Sequence, residues 1–174
     1  PPSPPPAPPM PPTPPGLPPL LPPPSRPPLV PGYLTASTGA ELTAIIRARE
    51  GRMFSSEGLP SCVIRGESGY NCYHIHIPPG TWVHLTERLD VKSFFVIYSE
   101  GVGATLDANH MHPHFFIARP GFSNLPHLTL RNIHLVNGRA DDPDDYDAQW
   151  AITGAGGCLN VFRGEFVMRN GSFR

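Results

Sequence analysis

The chain has 174 residues with 13 basic and 14 acidic side chains, a net charge of −1. It is long enough for one sizeable domain, and without a basic run it argues against nucleic acid or an anionic membrane surface as the main partner. No apolar stretch approaches the roughly 18 residues needed to span a bilayer.

Of the 26 prolines, 19 fall within residues 1–31. Proline fixes φ and removes a backbone donor, so this segment is expected to populate polyproline II rather than pack. It divides the chain into a tail or linker at 1–33 and a folded domain at 34–174. Fully extended, the tail would reach on the order of 100 Å. Its one basic residue, Arg26, fits neither orientation of an SH3 ligand, because Leu21 and Leu29 stand where prolines are needed. Ser3-Pro4-Pro5-Pro6 and the later Pro-Pro-Pro-Ser25 resemble the repeats of hydroxyproline-rich glycoproteins of plant and green-algal walls, of extensin or pherophorin type. That resemblance implies hydroxylated prolines bearing short glycans, with Ser3, Pro4, Pro5 and Pro6 as candidate acceptors. Pro1 opens in mid-repeat, and the sequence reads as an internal piece of a longer precursor.

Thr38 with Glu41 three residues on forms a capping-box signature, and Leu42, Ile45 and Ile46 trace one face, which predicts an amphipathic helix over 39–49. Cys62 and Cys72 enclose a Gly-containing turn and are either a disulfide, suited to an oxidising compartment, or two buried thiols. Cys158 is left over.

Strand patterns recur from Tyr73. YHIHIPPG at Tyr73, FFVIYSEG at Phe94 and FFIARPG at Phe115 are spaced by 21 residues, aligning Ile75, Val96 and Ile117, with Trp82–Leu85 answered by Gly103–Leu106. Further on, Leu128, Leu130, Arg131, Asn132 and Leu135 are echoed 38 residues later by Phe166, Met168, Arg169, Asn170 and Phe173. The polar stretch 139–155 accounts for the longer interval if it is a loop pushed out from one turn. Short strands at a period of about twenty residues are the mark of a solenoid, whose units bury their faces only on one another.

LTLRNIHLVNG, GGCLNV and FVMRNGSF, preceded by ELTAIIRA, IPPGTW and ATLDA, resemble the right-handed parallel β-helix domains of the pectin-lyase-like superfold. The repeats are most similar to those of polymorphic outer-membrane proteins. The resemblance spans about residues 38–174 and implies an all-β right-handed parallel β-helix with a short N-terminal capping helix. Phe166, Met168 and Phe173 would then lie on an uncapped edge, and the piece expressed alone would be expected to aggregate or fold only in part. Asn132 and Asn170 would stack as an internal amide ladder, a role that competes with Asn170-Gly171-Ser172 as a glycosylation sequon.

Asp141, Asp142, Asp144, Asp145 and Asp147 offer hard oxygen ligands for Ca²⁺, or form a solvated acidic loop; no cofactor is otherwise expected. Tyr146 and Trp150 beside them are candidate carbohydrate-stacking platforms, whereas Trp82 is expected to pack in or on the first turn. His110, His112 and His114 would share a face if they lay on a strand and could gather Zn²⁺ or Cu²⁺, but Pro113 and the repeat point to a turn. His74 and His76 face away from Ile75, and Asp107 is expected to cap a turn. Catalytic sets of the superfold's enzymes are missing: there is no Asn-Thr-Asp, Gly-His-Gly or Arg-Ile-Lys. The expected protein is a non-enzymatic glycoprotein of the extracellular matrix, cell wall or cell surface, whose partners are matrix polysaccharide or other matrix glycoproteins. The alternative is a polysaccharide lyase or glycoside hydrolase of the same fold using the loop at 141–147.

Overall fold

A computed structural model describes residues 33–49, 59–64, 67–118, 125–139, 151–152, 159–162 and 164–174. The N-terminal part contains β1 (Tyr33–Thr35), α1 (Gly39–Ala48), β2 (Ser61–Ile64), β3 (Glu67–Asn71) and β4 (Tyr73–His76). Next come β5 (Trp82–His84), β6 (Leu89–Val91), β7 (Phe94–Tyr98), β8 (Ala104–Asp107), β9 (Phe115–Ala118), β10 (His127–Arg131) and β11 (Ile133–Val136). The chain then forms β12 (Ala151–Ile152), β13 (Leu159–Phe162), β14 (Glu165–Arg169) and β15 (Ser172–Phe173). The fold is all-β with one short helix.

From β4 onward the chain visits three sheets in rotation. The first runs β1-β4-β7-β10-β14 and the second β5-β8-β11-β15, every neighbouring pair parallel. The third sets β6, β9 and β13 parallel, with β12 antiparallel on β13. A single apolar core is common to all three, with Ile75, Phe95, Ile97, Leu128 and Leu130 from the first sheet, Val83, Leu106, Ile133 and Leu135 from the second, and Leu89, Val91, Phe115, Ile117 and Leu159 from the third. Strand side chains alternate between two faces, so these residues can share one interior only because each strand keeps its period-2 pattern against its neighbours.

The helix begins where its cap signature lies. Glu41 N–H donates to Thr38 Oγ1 at 3.2 Å, and the Glu41 carboxylate accepts from the backbone N–H groups of Ser37 and Thr38 at 2.7 and 3.2 Å. Leu42 and Ile46 join the core, while Gly39 lies so close to the His84 carbonyl that a side chain there would collide with backbone. β1 is an element the sequence pattern did not reveal: Tyr33–Thr35 pair in parallel with His74–His76, so a strand as well as the helix precedes the first full circuit.

One part of the expected register holds and one does not. The echo between Leu128 and Phe166 holds in hydrogen-bonded register, as does Leu135 over Phe173. The 21-residue alignment does not: Ile75 pairs with Ile97, Trp82 pairs with Thr105, and Ile117 belongs to the third sheet beside Val91. FFVI and FFIA present the same apolar pattern, and only the unequal turns between them send one to the first sheet and the other to the third. Between β7 and β8 the turn takes residues 99–103, whereas Asn132 alone separates β10 from β11.

Outward side chains of the first sheet are covered on one side. Cys62 and Cys72 are joined in a disulfide with Cα atoms 5.8 Å apart, tying the β2–β3 hairpin to the root of β4. Both sulfur-bearing side chains bury against Phe94 and Val96, and the Tyr70 ring meets Phe94 edge-on at 5.8 Å between centroids.

Truncating the fully buried Phe95 to Ala is expected to cost about 3–5 kcal/mol in equilibrium unfolding. Replacing Cys62 and Cys72 by Ser should remove about 2–3 kcal/mol for a loop of this length. Proteolysis of that variant is expected to begin within residues 59–72, leaving the rest of the β-structure intact by circular dichroism.

Candidate functional site

The richest polar constellation sits on the second sheet. Asp107, at the end of β8, is only 5% exposed although its side chain is on the outward face, opposite in register to His84 and Val136. Its Oδ1 accepts from the Asn109 backbone N–H at 2.8 Å and from Asn137 Nδ2 at 3.0 Å. Trp82 Nε1–H donates to Oδ2 at 3.0 Å, and His84 Nδ1 lies 3.4 Å from the same oxygen. Burial would push the carboxyl pKa up. The Asn109, Trp82 and Asn137 donors, with His84, outweigh it and hold the carboxyl below its ordinary value of 3.8.

The arrangement organises the corner rather than presenting a free carboxylate. Asn109 and His110 both adopt left-handed backbone (φ 50° and 57°), and the Asp107 side chain bonds the first of them. Asp107 is thus the turn cap expected of ATLDA, and it also anchors the indole of Trp82. That indole is 54% exposed, so Trp82 lies on the second sheet's outer surface instead of packing inside. Further along the same column, across Thr105 from Trp82, His134 Nδ1 and Ser172 Oγ are 2.9 Å apart.

The histidines of NHMHPHF are separated by the turn they form. His110 is exposed, His112 Nδ1–H donates to the Pro113 carbonyl at 2.9 Å, and His114 is buried with Nε2–H donating to the Leu106 carbonyl at 2.9 Å. Among the described residues no three His, Cys, Asp or Glu side chains gather as a metal site. The left-handed residues 109 and 110 break the strand that a shared face requires. The candidates Asp141, Asp142, Asp144, Asp145, Asp147, Tyr146 and Trp150 lie outside the described residues, as do Ser3, Pro4, Pro5, Pro6 and Cys158.

Asn132 and Asn170 are equivalent, as the echo implied, and both occupy left-handed turns with φ of 56° and 53°. They do not form an internal amide ladder. Asn132 Nδ2 donates to the Gly101 carbonyl at 3.0 Å, Asn170 is exposed, and a left-handed corner residue directs its amide along the turn instead of into the core. Gly103 is required nearby: its φ is 80°, and a Cβ would approach the Asn132 carbonyl oxygen to 2.7 Å.

On the open half of the first sheet's outer face, one in-register column holds Thr35, His76, Tyr98, Arg131 and Arg169. The adjacent column begins with Tyr33 and His74. Ring centroids are 5.2 Å apart for His76 and Tyr98 and 5.0 Å for Tyr33 and His74. Burial first, and the Arg131 guanidinium second, hold the His74 imidazole below its ordinary pKa of 6.5. A further outward group, His127, is buried with Nε2 2.7 Å from Thr129 Oγ1 and Nδ1 3.3 Å from the Glu165 carboxylate. The step from Arg131 to Arg169 is the 38-residue echo; the rest of the column was missed in the sequence because Thr35, His76, Tyr98 and Arg131 are 41, 22 and 33 residues apart, and nothing local links them.

No protein-family model matches this sequence, and no match is found among curated proteins or solved structures. Among the described residues no helix is long and apolar enough to cross a membrane.

Asp107→Asn is expected to lower stability near neutral pH by about 2–3 kcal/mol, through weakened charge-assisted bonds to Trp82 and Asn137. Because the folded carboxyl is depressed, its contribution is complete above pH 3.8 and lost as pH falls through the lower folded value. Acid titration of unfolding should therefore be shallower in the variant than in the parent chain.

Proposed function

We infer that this chain is a non-enzymatic structural glycoprotein of an extracellular matrix, cell wall or cell surface. A right-handed parallel β-helix is displayed on a proline-rich rod, and its outer faces bind carbohydrate. The observation that carries the fold reading is the rotation of the chain through three parallel sheets around one core, with the register of Leu128–Arg131 on Phe166–Arg169 repeated on the far side by Phe95–Tyr98. Parallel strands joined in this order need a crossover through the other two faces, which is what a β-helical coil provides. The Cys62–Cys72 disulfide favours an oxidising compartment. The Ser-Pro-Pro-Pro tail at Ser3–Pro6 favours a hydroxylated, glycosylated rod.

The best-formed acid among the described residues, Asp107, has its carboxylate oxygens committed to three donors, with His84 Nδ1 3.4 Å from one of them, an arrangement suited to architecture more than to proton transfer. Chemistry at the loop 141–147 would give the alternative, a polysaccharide lyase or hydrolase. Mass spectrometry of the native protein is expected to find hydroxyproline, with attached sugar, in residues 1–31. Incubation with pectin-like polymers is expected to leave the count of reducing and unsaturated ends unchanged. New ends that vanish when Asp141–Asp147 are changed to Asn would replace the structural reading with the enzymatic one.

A further inference from the structure

We propose that the open half of the first sheet's outer face is a binding strip for an acidic polysaccharide, with Arg131 and Arg169 holding its anionic groups and Tyr98 and His76 giving it flat surfaces. Arg131 and Arg169 are direct partners in the parallel ladder between β10 and β14, and both are exposed. Neighbouring strands stand about 4.8 Å apart, so the two side chains leave the sheet side by side. Two other arginines are in ion pairs, Arg47 with Glu87 and Arg88 with Asp90, and Arg49 lies over the Tyr73 ring. Among the described residues neither Arg131 nor Arg169 has an ion pair or a side-chain hydrogen bond. Two like charges in register oppose each other, and a carboxylate or sulfate set between them converts that repulsion into charge-assisted, fork-shaped hydrogen bonds.

The same column continues through Tyr98 and His76, with the phenol half-buried and one imidazole ring at 5.2 Å from it. Nε2 of His74 and of His76 is buried without a hydrogen-bond partner among the described residues, so these imidazoles offer the ligand ring surface and not that nitrogen. A chain lying across the strands would thus meet two guanidinium groups, then an aromatic face, at intervals of one strand, a repeat close to the length of a sugar unit in a linear polymer. Glu100, exposed in the turn that follows β7, is the opposing charge on this side. A strip of two cations in a chain of net charge −1 suits a ligand of sparse, regular charge better than a nucleic acid. The choice of a polysaccharide among polyanions rests on the matrix reading above; the cation column itself does not.

The test is binding of the full 174-residue chain to immobilised polygalacturonate, dextran sulfate and neutral dextran, with elution by salt. Retention is expected on a polyanion and not on neutral dextran, and whichever polyanion retains the chain identifies the anionic group as carboxylate or sulfate. Arg131→Gln and Arg169→Gln should each bind about tenfold more weakly, Glu100→Gln more tightly, and Arg47→Gln as the parent. Thermal midpoints of the two strip variants should equal or exceed the parent's, since each relieves a like-charge pair. The strip is overturned by no retention on either polyanion, by equal retention on neutral dextran, or by Arg131→Gln and Arg169→Gln binding like the parent or like Arg47→Gln. Hydroxyproline in the native tail alongside absent polyanion binding would sink the strip alone. Binding by the strip with an unmodified tail would sink the matrix reading alone.

Discussion

Stacking in parallel register is the constraint on which the rest of this molecule depends. The first sheet sets Ile75, Ile97, Leu130 and Met168 side by side, and one residue of slip in any strand would turn its apolar set away from the core. Each fully buried Ile, Leu or Phe contributes about 1.5–3 kcal/mol through removal from water, so the register is held by many such residues at once. Outward columns are then in register as a consequence. Tyr98, Arg131 and Arg169 are neighbours because Ile97, Leu130 and Met168 are.

Two devices shape the outer surface that this stacking creates. The disulfide-tied hairpin covers Phe94 and Val96, giving those outward apolar groups a small core of their own. On the Tyr98 side of the same sheet Arg131 and Arg169 are exposed, while Tyr98 and His76 are half-buried. On the second sheet, Asp107 stitches three successive circuits together, since Trp82, Asn109 and Asn137 come from three different passes of the chain. Left-handed asparagines at 109, 132, 137 and 170 make the corners, where short polar side chains tolerate positive φ, and those of Asn132 and Asn137 bond the neighbouring turn.

Much of this was legible before folding was considered. The capping box at Thr38, the apolar face of α1 and the echo between Leu128 and Phe166 are all local or near-identical patterns, and each appears where it was read. Three features were not legible. β1 is three residues long and gains its meaning only from pairing with β4. The sheet to which Phe115–Ala118 belongs cannot be told from its apolar run, because Phe94–Tyr98 opens with the same kind of run. The donors around Asp107 come from residues up to thirty positions away, and ATLDA read alone gives a turn cap without its partners.

By itself the sequence determined which side chains can face inward along each strand, where the helix starts, and that residues 128–135 and 166–173 occupy equivalent positions. These follow from the pleat and the helical period, which are properties of the local backbone. Tertiary structure alone decided which strands share a sheet, which outward residues the hairpin hides, and that Tyr98 and His76 continue the column of Arg131 and Arg169. Those outcomes depend on turn lengths accumulated over whole circuits and on what packs against the opposite face, and neither quantity is written in any single stretch of residues.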